Sequence, residues 1–415
     1  MQKLKTNRKI MKRIKMDQNE RILERRFVMN DAGKIDKIRD LYVTYNEKVD
    51  LQALKDGGYL KAVEEMMEPV LDKFDDFDPE VLAYWAKRGM VKEAHGRDQK
   101  MDWETYAKKT GYYWVDPHSD MEGIQNQYKM WNSFVPVSAF ASENAGRKYP
   151  TVVVLHGGFN PISIIDGWGF VQEAAKREWI VIVPALELDD LIDEVLEEAK
   201  RLYPIDETRI YGTGFSYGGY MSGTLGNKRP DVYAAVGPCG APINNNYCSN
   251  EVGPEPQKPF DGKPRAIEMG VYMPIFTASG NLDGGRFPIY HARDFHTGEP
   301  AVETFVEGIN SWARVNHAKE ISTEEVFAMR DREGLTDAER EIGLPLPEEC
   351  FKMVVADGIT NYIADLKSED GVTRIRIMCE MNTPHWPTPE MIRQMYAFFE
   401  HFSRDIETKE SIYQA

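Results

Sequence analysis

The chain has 415 residues, 42% of them hydrophobic and 28% charged, with a formal net charge of −16. This balance is that of a globular protein and excludes disordered, collagenous and membrane-spanning classes. The longest apolar runs, Thr151 to Leu155 and Trp179 to Leu186, are less than half of the roughly 20 residues a spanning helix needs, and they read as buried strands.

Residues 1–26 hold ten Lys or Arg against three Asp or Glu, which leaves the rest of the chain strongly acidic. Apolar positions Ile10, Met11, Ile14, Ile22 and Leu23 fit helical spacing, so the basic arm is expected to be a solvated helix docking on an acidic body. An acidic body argues against nucleic-acid binding, which needs a basic face. Four cysteines (Cys239, Cys248, Cys350, Cys379) without a C-x-x-C pair give neither a disulfide framework nor a zinc signature. The first residues lack the apolar stretch of a secretory signal, and a cytoplasmic setting is expected.

From about residue 50 to 110 the pattern is helical. Asp78, Pro79 and Glu80 mark a helix start and Gly89 its stop, with Val81, Leu82 and Trp85 as a packing face. Residues 1–110 are therefore expected to form a helical extension that covers the following domain or joins copies into a homo-oligomer, and residues 111–415 an α/β catalytic domain.

Beyond Gly111, β-rich runs at Tyr112 to Val115 and Gln127 to Val137 precede an alternation of strands and helices, the pattern of a mostly parallel sheet wrapped by helices. Thr151 to Leu155 and Ile180 to Val183 are continuous apolar runs suited to strands buried on both faces. Leu188 to Leu202 keeps a 3.6-residue apolar period and reads as a crossover helix. Further strands are expected at Arg209 to Thr213, Ala234 to Val236, Pro274 to Ala278 and Thr373 to Cys379, and a final helix at Pro389 to Phe402. Gly240 to Gly270 reads as a long functional loop. Ala318 to Cys350 carries two capping-box patterns, Ser322 with Glu325 and Thr336 with Glu339, and reads as a helical insertion that could serve as a lid.

The sharpest chemical signal is Gly214-Phe215-Ser216-Tyr217-Gly218, a G-x-S-x-G string between an expected strand and an expected helix. Ser216 must then sit on a turn too tight for side chains at its flanks, which exposes the hydroxyl. A serine hydroxyl becomes a nucleophile when a base takes its proton. His385, in the rigid loop Thr383-Pro384-His385-Trp386-Pro387 between the last strand and the last helix, is the candidate base; His401 falls in the final helix. The orienting acid is expected after the strand Pro274 to Ala278, where Asp283 is the choice and Asp357 a weaker substitute. The order Ser216, Asp283, His385 is that of α/β-hydrolases. Oxyanion donors are expected from the backbone of Tyr217 and of Gly158, with Phe159 as the alternative to Gly158, in the loop that follows Leu155-His156-Gly157. His156 itself reads as a structural hydrogen-bonder. Phe215 and Trp386 are candidate substrate-binding aromatics, and together with Phe159, Trp168, Tyr217 and Tyr290 could line a pocket for an aryl acyl group.

These residues resemble the esterase family that includes poly(3-hydroxybutyrate) depolymerases and feruloyl or acetylxylan esterases. The resemblance covers about residues 128–230, 273–317 and 372–403, and is carried by Leu155-His156-Gly157, Ile205-Asp206 before Arg209-Ile210-Tyr211, Gly214 to Gly219, Gly280-Asn281-Leu282-Asp283 and His385-Trp386-Pro387. It implies an α/β-hydrolase fold, Ser216 as nucleophile, Asp283 as acid, His385 as base, and no metal or organic cofactor. Small or oligomeric esters, hydroxycinnamoyl or acetyl, are the substrates it suggests; polymer is disfavoured because no linker or polymer-binding module is evident. A prolyl-oligopeptidase-like serine peptidase shares the fold and triad order, but no blade-length repeat of its usual β-propeller is present. A non-catalytic binding protein on a hydrolase fold would have no need of all three residues.

Overall fold

A computed structural model describes residues 59–71, 77–96, 130–157, 162–185, 189–241, 243, 264–294 and 298–415. The basic arm, the run Tyr112 to Val115 and most of the loop Gly240 to Gly270 lie outside these residues.

Valine- and isoleucine-rich runs form the centre of a ten-stranded sheet among the described residues: β1 (Met90–His95), β2 (Trp131–Pro136), β3 (Tyr149–Leu155), β4 (Ile180–Pro184), β5 (Ile205–Phe215), β6 (Ala235–Cys239), β7 (Ile275–Gly280), β8 (Phe351–Ala356), β9 (Ile359–Lys367) and β10 (Thr373–Glu380). Their order across the sheet is β1-β2-β4-β3-β5-β6-β7-β10-β9-β8. The block from β4 to β10 is parallel throughout, while β1, β2, β9 and β8 extend it with antiparallel pairs at the two sides. Continuous apolar strands are needed because both faces are covered. Val152 and Val154 enter one core cluster, and Val153 and Leu155 enter the other.

On the first face lie α1 (Tyr59–Leu71), α2 (Pro79–Lys87), α3 (Phe170–Arg177) and α10 (Pro389–Phe399). On the second lie α4 (Asp189–Leu202), α5 (Tyr217–Lys228), the short α6 (Arg265–Met269), α7 (Val302–Val315), α8 (Thr323–Arg330) and α9 (Asp337–Ile342). Asp78 caps α2 through a bond from the Glu80 N–H, with Pro79 at its first position and Gly89 at positive φ just beyond its end.

Three expectations need correction. The segment before residue 110 is not wholly helical, because Met90–His95 pairs along its whole length with Trp131–Pro136 and so belongs to the central sheet. Its inward positions include Lys92, which is buried against Asp166 at 2.9 Å while the Trp85 indole donates to the same carboxylate at 2.7 Å. A buried ion pair thus hides the strand's alternation. The final helix ends at Phe399 rather than Phe402, and His401 lies exposed beyond it, bonded to the Gln414 carbonyl. The insertion does form two capping-box helices, but they are docked. Val326, Met329, Ala338 and Ile342 are buried, α9 packs against β8, β9 and β10, and the Tyr290 hydroxyl donates to the Arg340 carbonyl at 2.7 Å.

No helix among the described residues is long and apolar enough to cross a membrane.

Candidate active site

The carboxyl ends of β5, β7 and β10 meet at one edge of the sheet, the edge where parallel α/β sheets hold their ligands. β5 runs through Phe215 and α5 begins at Tyr217, so Ser216 alone makes the reversal, at φ 60° and ψ −120°. A non-glycine residue in this region is strained and persists only when its surroundings fix it. Here the Ser216 N–H donates to the Cys239 carbonyl at 3.0 Å, and the flanking glycines let the strand and helix backbones close up. A Cβ on Gly214 would lie 2.5 Å from the Gly218 carbonyl oxygen, and one on Gly218 would lie 2.2 Å from the Leu155 carbonyl oxygen.

β7 and β10 are adjacent and parallel, so the loops that leave them run side by side. The Asn281 N–H donates to Glu380 O at 2.8 Å and the Leu282 N–H to Thr383 O at 3.2 Å. Gly280 permits the approach, since a Cβ there would stand 1.9 Å from Thr383 O. This zipping sets Asp283 against His385. Asp283 Oδ1 lies 2.8 Å from His385 Nδ1, and His385 Nε2 lies 2.8 Å from Ser216 Oγ. With a proton on Nδ1 held by the carboxylate, Nε2 is left to accept the serine proton, and the growing imidazolium charge faces the carboxylate.

Asp283 is 1% exposed. Burial would raise its carboxyl, but the facing Arg286 guanidinium, followed by His385 and the hydrogen bonds from both, holds it below the ordinary carboxylate range. Arg286 is itself buried, ion-paired to Asp283 Oδ2. Sequence reasoning passed over this residue. Its signal was an arginine three residues beyond an expected acid in a glycine-rich turn, a place where solvent exposure is the ordinary expectation.

Of the oxyanion candidates, Tyr217 is the first residue of α5, whose N-terminal N–H groups and dipole favour a negative oxygen. Gly158 and Phe159 lie outside the described residues. The chain leading to them leaves β3 beside the elbow, since Leu155 pairs with Gly214 across β3 and β5. His156 places its ring nitrogens 2.9 Å from the carbonyls of Gly157 and Ala185, and burial lowers its basicity, in keeping with a structural part. Phe215 is buried beneath the histidine, its ring 4.9 Å from that of His385 and 5.6 Å from Trp168, which in turn meets Trp386 at 6.0 Å. This packing shows a cluster that backs the imidazole. Asp357 occupies the turn between β8 and β9, at φ 52°.

Glu380, the last residue of β10, is fully buried and accepts a hydrogen bond from the Thr388 hydroxyl. Burial pushes its carboxyl from 4.5 up to about 8, the Thr388 bond opposing and Glu390 adding to the rise. The folded chain therefore keeps a proton that the unfolded chain gives up, so the contribution of Glu380 to stability falls as pH rises from 4.5 to about 8 and levels off above. Glu380→Gln is expected to melt higher than wild type near pH 8 and level with it near pH 4.5, a difference read by paired thermal melts. Equal melts at both pH values would mean that the carboxyl is not held protonated.

The sheet order, with a serine elbow after β5 and the acid and histidine loops after β7 and β10, makes the chain a serine hydrolase of the α/β-hydrolase type. The family whose profile matches is the prolyl oligopeptidase family, over residues 184–248, the stretch that holds the elbow. No curated protein matches the chain in sequence. Among similar solved structures, the substrate-bound fluorophosphonate-binding serine hydrolase F of Staphylococcus aureus is 17% identical, with 37% of this chain and 74% of that chain covered at a TM-score of 0.31. An S-formylglutathione hydrolase from the same organism is 19% identical at a TM-score of 0.26, and the match covers 28% of this chain and about half, 52%, of that one. A mutant feruloyl esterase module from Clostridium thermocellum, complexed with sinapinate, is 11% identical, with 69% and 86% covered at a TM-score of 0.36. At such similarity the fold assignment stands on the sheet order and the family match.

Proposed function

We propose that the protein is a serine carboxylesterase in which Ser216 attacks an ester carbonyl, His385 carries the proton from Oγ to the leaving alcohol, and Asp283 orients the imidazole. The observation that carries this reading is the unbroken chain of two 2.8 Å hydrogen bonds from Asp283 through His385 to Ser216. In the first step Oγ bonds the carbonyl carbon, the tetrahedral oxyanion is held at the Tyr217 N–H and at Gly158 or Phe159, and collapse expels the alcohol. Water, deprotonated by His385, then releases the acid and restores Ser216.

Small or oligomeric hydroxycinnamoyl or acetyl esters are the proposed substrates, supported by the family resemblance of the site motifs. Trp168, Phe215 and Trp386 form a buried cluster that backs the His385 ring, so the acyl preference rests on the resemblance of the motifs. A cytoplasmic setting belongs to the same proposal and is supported by the free thiols of Cys239, Cys350 and Cys379. The second reading, a serine peptidase, is favoured by the prolyl oligopeptidase family match. A panel of p-nitrophenyl acetate, p-nitrophenyl butyrate, methyl ferulate and a proline-linked anilide separates the two. Ester turnover with methyl ferulate at least as good as the acetate is expected. Turnover of the anilide above the esters would favour the peptidase.

A further inference from the structure

The loop that carries His385 is closed by a buried hydrogen bond between its two ends. Glu380 is the last residue of β10 and Thr388 the N-cap of α10, so Met381 to Pro387 form the loop, with His385 near its far end. The Thr388 hydroxyl donates to Glu380 Oε1 and accepts the Met391 N–H at 3.0 Å, which ties the end of the strand to the first turn of the helix. Both side chains are buried. Because burial holds the Glu380 carboxyl protonated up to about 8, the bond is made without leaving a bare charge in the interior, and the neighbouring acid Glu390 is paired with Arg393. On the near side of His385 the loop is set against the acid loop, the Asn281 N–H donating to Glu380 O and the Leu282 N–H to Thr383 O. Between them Asn382 turns at φ 54°, a conformation that a non-glycine residue keeps only under constraint from its surroundings. On the far side the chain passes Trp386 and Pro387 into Thr388, whose hydroxyl returns it to β10.

We propose that Glu380 and Thr388 are positioning residues, a clamp across the ends of the histidine loop that holds the His385 imidazole between Asp283 and Ser216. This rests on the triad reading above. His385 must meet its two partners at 2.8 Å, one on each ring nitrogen, and a misplacement of about 1 Å costs on the order of a hundredfold in rate. A side chain on a loop keeps such geometry when packing and hydrogen bonds behind it remove the loop's freedom. Glu380 itself is fully buried and so acts through the loop rather than on substrate.

The test measures, on the full-length protein, the second-order rate constant for labelling by a fluorophosphonate, the number of sites labelled and the thermal melt, with Ser216→Ala as the blank. Partial unfolding lowers the number of sites, whereas a displaced imidazole lowers the rate constant of every site. Glu380→Met removes the acceptor at similar volume, Thr388→Val removes the hydroxyl, and Glu380→Gln keeps a carbonyl that can accept the same bond. Thr336→Val removes the corresponding cap of α9 and is the control for cap loss alone. Glu380→Met and Thr388→Val are each expected to lower the rate constant by about 10- to 100-fold, with Glu380→Gln within about threefold of wild type. The double variant is expected to fall no further than the lower single one, because both remove the same bond. Thr336→Val is expected to melt lower with its rate constant unchanged. On p-nitrophenyl butyrate the clamp variants should lose kcat rather than raise KM. Clamp variants that melt lower but label at the wild-type rate constant would overturn the proposal by leaving the pair a structural part, and so would a glutamine variant as slow as the methionine one. If one clamp variant does not fold, the other decides by the same readout. Wild type that is labelled at Ser216 but hydrolyses no ester would refute the esterase reading alone, with the labelling comparison still legible. Wild type not labelled at Ser216 would overturn both.

Discussion

Ser216→Ala is expected to lower ester hydrolysis by about 10⁴- to 10⁶-fold while the protein stays folded. The size of the effect follows from geometry. His385 Nε2 faces the Ser216 Oγ at 2.8 Å, and without that oxygen the imidazole has no nucleophile to activate. The fold should survive because the backbone of residue 216 is fixed from outside its side chain, by the Cys239 carbonyl and by the close contact of Gly214 with Gly218. Comparing kcat/KM for p-nitrophenyl butyrate with a thermal melt checks both halves. A loss of less than about tenfold would mean that turnover runs through another group.

Gly218→Ala is the second large effect, and it strikes stability together with activity. Its Cβ would lie 2.2 Å from Leu155 O and 2.5 Å from His156 O, both main-chain atoms of the strand and loop that lead to the oxyanion candidates. Neither can rotate away, so the helix start must shift from β3 at a cost of about 3 kcal/mol or more. Gly223→Ala on the same helix is the control, because a Cβ there meets nothing within 4 Å. It is expected to gain about 0.5–1 kcal/mol from helix propensity. Denaturation midpoints of the two variants should therefore move in opposite directions. Equal and small shifts would mean that the elbow tolerates a side chain.

The parallel strands and the site serine were legible because each leaves a local mark. Residues 151–155 and 180–183 are buried on both faces and so are continuously apolar, and the G-x-S-x-G string is forced by the closeness of two backbones at Gly214 and Gly218. His385 and Asp283 could be placed because each follows a readable strand and precedes a readable helix or turn. What escaped was set by distant partners. Lys92 sits on an inward position of β1, where Asp166, 74 residues later, meets it. Arg286 is buried against Asp283, a contact that no local sequence pattern marks.

The hairpin of β8 and β9 is a different case. Asp357 and Gly358, both at positive φ, form an Asp-Gly turn, a strong local hairpin signal, between Phe351–Ala356 and Ile359–Lys367. That hairpin carries the sheet two strands past β10, and the insertion helix α9 packs against it. The insertion's capping boxes were read correctly from sequence, whereas its docking depends on strands that had not been assigned.

The central claim is that an acyl group passes through Ser216 on its way from alcohol to water. The direct measurement is an acid quench of wild-type protein turning over p-nitrophenyl butyrate, followed by peptide mapping by mass. The account predicts a butyryl group on the peptide that holds Ser216, absent from Ser216→Ala and accumulating when the later deacylation step is slow. Steady ester turnover with the acyl group on a different residue, or with the acyl group equally present in Ser216→Ala, would contradict it.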